Sequence, residues 1–251
     1  MELALTPDTR RPVDTVTLAE ATRAAGFVAL GMVSGRYESD ADAILADVGL
    51  RCHELLGLQI ADDGDATIAM AERLARDAAD LHSPWVLTTF RTPLRDDADQ
   101  VITRCAAICA DAGAGLALEF SPLGPVSTIA DSLEIVSIAG PARTGIVIDS
   151  WNFCFGPSTW QDLEQVPLER VAYLQFADAL APVGGVNMDE AMMRRALPGE
   201  GILELDRFAT TLRDRGWDGV VSMQVLSDDL RALPITDYCR CVHDAAVRYW
   251  E

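Results

Sequence analysis

The sequence predicts a single (β/α)₈ TIM barrel that spans residues 1–251. Short apolar runs alternate with segments of helical periodicity along the chain, which is typical of a parallel sheet covered by helices. Eight such units in 251 residues match the size of a closed barrel. A doubly wound open sheet is the alternative fold, but no glycine-rich phosphate loop follows the first predicted strand.

The predicted strands are short runs of apolar and β-branched residues, the composition of strands that are buried on both faces. In chain order they cover residues 2–6, 27–33, 50–58, 85–90, 115–120, 145–149, 171–176 and 219–225.

The segments between the strands carry apolar residues at helical spacing and capping signals at their ends. Thr17 followed by Glu20 predicts a capping box on the first helix, and Gly26 ends it. Ser127 or Thr128 opens the fifth helix. The predicted helices cover residues 17–25, 41–48, 67–81, 97–112, 127–139, 159–166, 205–215 and 235–249, and a longer polar connection precedes the seventh of them.

The composition excludes several classes of function. A formal net charge of −19 argues against binding to nucleic acid or to an anionic membrane through a general basic surface. The six cysteines do not follow the spacing of a secreted disulfide framework or a zinc ribbon. The sequence shows neither a signal-peptide pattern nor an apolar run of membrane-spanning length, so we expect a reduced, cytoplasmic compartment.

Polar side chains end four of the predicted strands: Glu119, Asp149, Gln175 and Gln224. Because the active site of a barrel lies at the carboxyl ends of its strands, we expect these four to meet at one rim. Converging oxygen ligands suit a divalent metal such as Mg²⁺ or Mn²⁺. Singly, Glu119 could be a solvated carboxylate, Asp149 could cap a turn, and the amides could form only neutral hydrogen bonds. Their joint placement favours a metal site.

Several motifs follow one another in the second half of the chain: Leu116-Ala-Leu-Glu119, Ile148-Asp149-Ser150, Gln175-Phe-Ala-Asp178-Ala179, Arg195-Ala-Leu-Pro-Gly-Glu-Gly201 and Gly216-Trp-Asp-Gly-Val-Val-Ser-Met-Gln224. In this order they resemble the xylose-isomerase-like TIM barrels, the sugar phosphate isomerase/epimerase superfamily. The Gln-x-x-Asp-Ala stretch is more similar to the 3-dehydroshikimate dehydratase and inosose dehydratase branch than to the ketose epimerases.

Two positions depart from the family pattern. Asn152 stands where the family usually has a histidine, and Gln224 replaces the last metal-binding glutamate. Gln224 cannot accept a proton at neutral pH, which argues against a mechanism with two carboxylates, one of them Glu119. Its amide oxygen can still bind a metal, but with one negative charge fewer. We therefore expect Mn²⁺ or Mg²⁺ to bind weakly, or not at all.

Further candidates complete the predicted site. Arg195 could clamp a carboxylate, a phosphate or a developing oxyanion, or it could pair with Asp178 or Glu200. Asn152 could hydrogen-bond a substrate hydroxyl, and Trp151 could wall the pocket or pack in the core.

His53 is the histidine with a plausible approach to the rim, and it could act as a base beside Glu119. A lone histidine next to a strand, however, is more often structural.

The resemblance implies a metal-assisted enzyme acting on a small polyhydroxylated carbonyl compound, a carbohydrate or polyol, by dehydratase (lyase) or isomerase chemistry. The alternative is a barrel that has lost catalysis and binds a ligand or joins a larger complex. The sequence is compatible with a homo-oligomer and names neither the substrate nor the metal.

Overall fold

Parallel strands close into an eight-stranded barrel in the computed structural model, which describes residues 1–91, 97–140 and 144–251. The barrel strands are β1 (Glu2–Leu5), β2 (Ala29–Val33), β3 (Arg51–Ile60), β4 (Trp85–Phe90), β5 (Gly115–Glu119), β6 (Thr144–Asp149), β7 (Val171–Phe176) and β10 (Val220–Met223). Strand β10 pairs with both β1 and β7, which closes the ring. The predicted (β/α)₈ barrel is confirmed.

Helices surround the barrel. They are α1 (Thr15–Ala25), α2 (Ala41–Val48), α3 (Gly64–Asp80), α4 (Ala98–Asp111), α5 (Ile129–Ala139), α6 (Ser150–Phe155), α7 (Trp160–Gln165), α8 (Met188–Met193), α9 (Leu205–Asp214), α10 (Asp228–Arg231) and α11 (Ile235–Trp250), with a 3₁₀ turn at Leu168–Arg170. Within the described ranges, no helix is long and apolar enough to cross a membrane.

The first helix begins earlier than predicted. Its N-cap is Asp14, whose side chain accepts a hydrogen bond from the Thr17 backbone N–H at 2.8 Å, so the expected capping box of Thr17 and Glu20 is wrong. The Thr17 hydroxyl also donates a hydrogen bond to the Asp14 side chain. Thr17 therefore lies in the first turn of the helix and is not its N-cap. Gly26 ends the helix in the left-handed conformation, as predicted.

The predicted strict alternation of eight strands with eight helices is also wrong in detail. The connection after β7 forms a two-stranded antiparallel sheet, β8 (Asp178–Ala179) with β9 (Arg195–Ala196), and encloses α8. Short helix α6 follows β6 directly, and short helix α10 follows β10 after four residues. These additions all lie at the carboxyl ends of strands, where barrel enzymes build their sites.

The barrel interior is a packed core. Leu87, Ala117, Val147 and Tyr173 form a separate buried cluster inside the ring. Because side chains alternate along a strand, the residues two positions further along β4, β5, β6 and β7 also face inward. Those residues are Thr89, Glu119, Asp149 and Gln175, so the rim residues among them lie one layer above the core cluster.

Candidate active site

The four predicted ligand residues lie at the carboxyl ends of four adjacent strands. Glu119 and Asp149 are the last residues of β5 and β6, Gln175 precedes the end of β7, and Gln224 follows β10. Asp149 is in register with Gln175, and β5, β6, β7 and β10 are consecutive in the ring. The structure thus brings them to the same rim, while their role as metal ligands stays a prediction.

Asp149 is fully buried and uses both carboxylate oxygens. Oδ1 accepts a hydrogen bond from the backbone N–H of Asn152 at 2.8 Å, so Asp149 is the N-cap of α6. Oδ2 accepts one from Nη1 of Arg195 at 2.6 Å. A charge-assisted contact of this length between two buried groups fixes both side chains.

Arg195 pairs with Asp149 and with neither Asp178 nor Glu200, which were the expected structural partners. Its side chain is 4 % exposed. Nε donates to the Ala191 carbonyl at 2.9 Å. The guanidinium carbon also lies 5.6 Å from the centre of the Trp151 ring. The cation is therefore held at the rim by contacts on several sides.

Asp178 stabilises a turn by hydrogen bonds to its backbone. Its carboxylate accepts hydrogen bonds at 3.0 Å from the backbone N–H groups of Gly199, Gly201 and Leu203. A Cβ on Gly201 would lie 2.3 Å from the Ala179 carbonyl oxygen, so only glycine fits there. Asp178 thus fixes the Pro-Gly-Glu-Gly turn behind β9, the strand that carries Arg195.

Glu119 is the rim carboxyl group with the most unusual environment. Oε1 accepts a hydrogen bond from Nδ2 of Asn152 at 2.9 Å. Burial and then the nearby charge of Asp149 raise the pKa of Glu119 to about 8, against the opposing effect of Arg195. A carboxyl group with a pKa near neutrality can both accept and return a proton.

The two glutamines present unpartnered polar atoms. Gln175 is fully buried, and neither its Oε1 nor its Nε2 has a hydrogen-bond partner among the described residues. Gln224 is 7 % exposed, and its Oε1 likewise lacks one. An unsatisfied buried amide costs about 1–3 kcal/mol, so such atoms point to a ligand that supplies the missing partners.

The two remaining predicted substrate contacts are buried. Trp151 is fully buried against Phe155 and beneath Arg195, and Asn152 is 4 % exposed and holds Glu119. Their contact with a substrate stays a prediction.

His53 lies inside the barrel on β3. It is 1 % exposed, and its Nε2 is 3.0 Å from the Ser222 hydroxyl. Burial lowers the pKa of His53 to about 3, so the ring is neutral at physiological pH and a poor proton acceptor. Its role as a base stays a prediction that this environment does not favour.

Sequence reasoning missed the neighbouring residue, Glu54. This carboxyl group is fully buried within β3 and accepts hydrogen bonds from the hydroxyls of Thr6 and Tyr173. The available signal was a glutamate inside an otherwise apolar strand. Burying an acidic group costs free energy unless it is hydrogen-bonded or paired, so such a residue points to a specific role.

The side-chain oxygen atoms at the rim fit a cation that prefers oxygen ligands and is held weakly. In the part of the chain that the structure describes, no three His, Cys, Asp or Glu side chains lie close enough to hold a metal. Glu119 and the unpartnered amide oxygens of Gln175 and Gln224 are the available ligands. Such hard oxygen donors suit Mg²⁺ or Mn²⁺ better than zinc, which prefers nitrogen and sulfur.

A closed parallel barrel with a polar rim at the carboxyl ends of its strands is the architecture of TIM-barrel proteins. The chain belongs to the xylose isomerase-like TIM barrel family, whose model matches residues 45–238. Among curated proteins it is similar to the inosose isomerase of Halalkalibacterium halodurans, with 26% identity over 161 residues, which are 63% of this chain and 56% of that protein.

It also resembles the 3-dehydroshikimate dehydratase of Pseudomonas aeruginosa, with 27% identity over 56% of this chain and 22% of that protein. The chain spans about half the length of the inosose isomerases that it matches.

Solved structures agree on the fold. The IolI protein with a bound zinc atom superposes with a TM-score of 0.87 at 18% identity, over 99% of this chain and 98% of that one. A D-psicose 3-epimerase crystallised with D-fructose gives 0.77 at 14% identity, over 99% and 98%. At these identities the likeness shows the fold alone.

Proposed function

We propose that this protein is an enzyme of the sugar isomerase/epimerase superfamily that acts on a small polyhydroxylated carbonyl compound by dehydratase or isomerase chemistry. The observation that carries the proposal is Glu119, a rim carboxyl group with a pKa of about 8 beside the buried Arg195–Asp149 pair. The similarity to proteins named inosose isomerase and 3-dehydroshikimate dehydratase supports the substrate class.

Glu119 is the base in this proposal. Removing a proton from the carbon next to a carbonyl group requires a base whose pKa lies near the working pH. The Asn152 amide holds one oxygen of Glu119 and leaves the other for the substrate. Negative charge then develops on the substrate oxygen, and the guanidinium of Arg195 is a buried cation at this rim that can stabilise it.

Gln175 and Gln224 are the proposed substrate contacts. A sugar hydroxyl donates one hydrogen bond and accepts others, and a primary amide does the same through its N–H and C=O groups. The unpartnered atoms of the two side chains therefore match adjacent hydroxyls of a polyol. This pairing favours a neutral polyhydroxylated compound over an apolar one.

A divalent cation, Mg²⁺ or Mn²⁺, would be held by the Glu119 oxygen that Asn152 contacts and by the amide oxygens of Gln175 and Gln224, with Asp149 only as far as Arg195 leaves it free. The second oxygen of Glu119 and the amide N–H groups then remain for the substrate. Such an ion stabilises negative charge on a substrate oxygen when it is bound. The related fold of the zinc-containing IolI protein supports a metal in this class of barrel.

Introducing a carboxylate at position 224 should tighten metal binding. We expect Gln224→Glu to raise the affinity for Mn²⁺ by about tenfold or more, because one added negative ligand contributes roughly 1.4 kcal/mol or more at a buried site. Isothermal titration calorimetry measures this directly. The control is Gln161→Glu, which adds the same charge on the exposed surface of α7. Equal affinities for the two variants would remove Gln224 from the ligand set.

The function itself is tested by product analysis. Purified protein is incubated with inosose, dehydroshikimate and several ketoses, with Mn²⁺, with Mg²⁺ and with a chelator, and products are identified by mass spectrometry and NMR. We expect turnover of at least one compound, lost in Glu119→Gln.

One observation favours the non-catalytic alternative: Asp149 is committed to Arg195, and position 224 has no acid. Binding of a polyol without any turnover would support a barrel that serves as a ligand-binding protein.

A further inference from the structure

The proposed reaction needs a second proton-transfer group. A dehydratase must protonate the leaving hydroxyl, and an isomerase must return a proton to a substrate oxygen. Glu119 takes the carbon-bound proton, whereas the amides of Gln175 and Gln224 do not transfer protons at neutral pH. Asp149 is held in an ion pair with Arg195. The rim residues described above therefore supply the base but not the acid.

A further carboxyl group lies inside the barrel, in contact with the core residue Tyr173. Glu54 is fully buried inside the barrel, and its two oxygens accept hydrogen bonds from Thr6 on one side and Tyr173 on the other. The Thr6 hydroxyl continues to Ser222 at 2.7 Å, and Ser222 to Nε2 of His53 at 3.0 Å. Hydroxyl and carboxyl groups from several strands thus form a connected polar network in the core.

The surrounding backbone leaves space for this carboxyl group. A Cβ on Gly31, the residue of β2 in register with Glu54, would lie 2.7 Å from Oε1. The basic group beside Glu54 is His53, whose Nε2 is 3.4 Å from Oε1 and whose low pKa keeps it uncharged. A carboxyl group buried without a charged partner favours its neutral, protonated form, and the pKa of Glu54 is raised to about 7.

Tyr173 connects Glu54 to the rim. It lies two residues before Gln175 on β7, so it is the inward-facing residue directly below that amide. Its hydroxyl contacts Glu54 directly, and burial followed by the charges of Glu54 and Glu119 raises the pKa of that hydroxyl. The hydroxyl group of Tyr173 therefore lies against Glu54, on the strand that carries Gln175 one layer above.

We propose that Glu54 is the proton donor that completes the reaction, acting through the hydroxyl of Tyr173. The inference rests on the function proposed above. In dehydration, the C–O bond breaks with its electron pair going to oxygen, and that oxygen takes the proton of the Tyr173 hydroxyl. When Glu54 is protonated, its hydrogen bond with Tyr173 runs in the opposite direction, so the Tyr173 oxygen accepts the proton of Glu54 in the same step. Water leaves, Tyr173 is unchanged, and Glu54 remains as a carboxylate until solvent returns its proton.

In an isomerisation the same transfer delivers the proton to the carbonyl oxygen of the substrate. The titratable groups around Glu54 are Tyr173 on β7, Glu119 on β5, and Cys52 and His53 on its own strand. Strands β2 and β10 and the end of β1 contribute Gly31, Ser222 and Thr6, which carry no charge.

Glu54→Gln separates the two proton transfers. The variant is isosteric and cannot donate a proton, so we expect product formation from a compound that the wild type converts to fall by about 10²–10⁴-fold. Deuterium exchange at the carbon next to the carbonyl, which Glu119 performs, should continue, and the Kd for the substrate should change little. Tyr173→Phe should give the same separation.

The pH profile is the readout that a purely structural role would not change. Glu54 must keep its proton while Glu119 must have lost its own, so wild-type product formation should peak between about pH 7 and about pH 8 and fall at higher pH, and the falling limb should be absent in Glu54→Gln. Thr6→Val is the matched control, because it removes the other hydroxyl on Glu54 and leaves the path through Tyr173 intact.

The outcomes are distinct. Unchanged product formation in Glu54→Gln, or loss of exchange together with product formation, would overturn this inference and leave the proposed function standing. A loss in Thr6→Val or His53→Ala as large as in Glu54→Gln would also overturn it, because the network would then act as a whole. A wild-type protein that neither exchanges nor converts any compound overturns the proposed function, and this inference with it.

Discussion

Replacing Arg195 by methionine is expected to lower the free energy of unfolding by about 3–5 kcal/mol, because it leaves the carboxylate of Asp149 buried without its counter-ion. Asp149 is fully buried, and the guanidinium is 4 % exposed and 2.6 Å away. Methionine retains most of the apolar contact with Trp151, so the loss reports mainly the charge. Denaturant unfolding monitored by circular dichroism measures the change.

Two matched variants complete the test. Arg240→Met removes an ion pair with Asp237 at the surface of α11, and we expect a change below about 1 kcal/mol. The double variant Arg195→Met with Asp149→Asn should recover much of the lost stability, because neither buried charge remains. A loss from Arg195→Met no larger than that from Arg240→Met would mean that the buried pair does not hold the rim together.

Glu54→Gln is expected to stabilise the protein at alkaline pH. The pKa of Glu54 is raised from 4.5 to about 7, so the folded protein binds this proton more tightly than the unfolded chain. The stabilising contribution is therefore fully present below about pH 4.5 and is lost as the pH rises to about 7. At about pH 8 the wild type carries a buried charge that the glutamine variant lacks.

The size of this effect follows from the same values. Each unit of pKa corresponds to about 1.4 kcal/mol, so Glu54→Gln should be more stable than the wild type by about 3 kcal/mol at about pH 8, relative to their difference at about pH 4. Free energies of unfolding measured across this range test it. Glu119 titrates in both proteins, and the charge of Glu54 raises its pKa, so the difference between the two curves reports Glu54 together with its effect on Glu119. Parallel curves would show that Glu54 is not a buried neutral acid.

Much of the fold was predictable because local signals agreed with the tertiary structure. Helix α2 and strands β4 and β7 have the predicted bounds, since apolar periodicity and flanking polar residues coincide there. The antiparallel pair β8–β9 was not predicted, because two-residue strands leave no periodic pattern. Asp14 and Thr17 both resemble helix caps, and only the direction of the chain before the helix decides between them.

The rim positions followed from strand ends, but the partners of the rim residues did not. The contact between Arg195 and Asp149 joins residues far apart in the sequence and depends on the β8–β9 sheet. Glu54 was missed for a different reason. The pairing of β2 with β3 shifts register between Leu30 and Gly31, and this irregularity breaks the simple alternation that would have assigned Glu54 to the interior.

Deuterium incorporation compared between the wild type and Glu119→Gln tests most directly whether Glu119 is the base of a proton-transferring enzyme. Substrates are incubated in heavy water with Mn²⁺ or Mg²⁺ supplied, and mass spectrometry measures deuterium at the carbon next to the carbonyl. We predict incorporation by the wild type into at least one polyhydroxylated carbonyl compound, and a loss of about 10²–10⁴-fold in Glu119→Gln. Incorporation at equal rates by both proteins, or by neither, would contradict the assignment of Glu119 as the base.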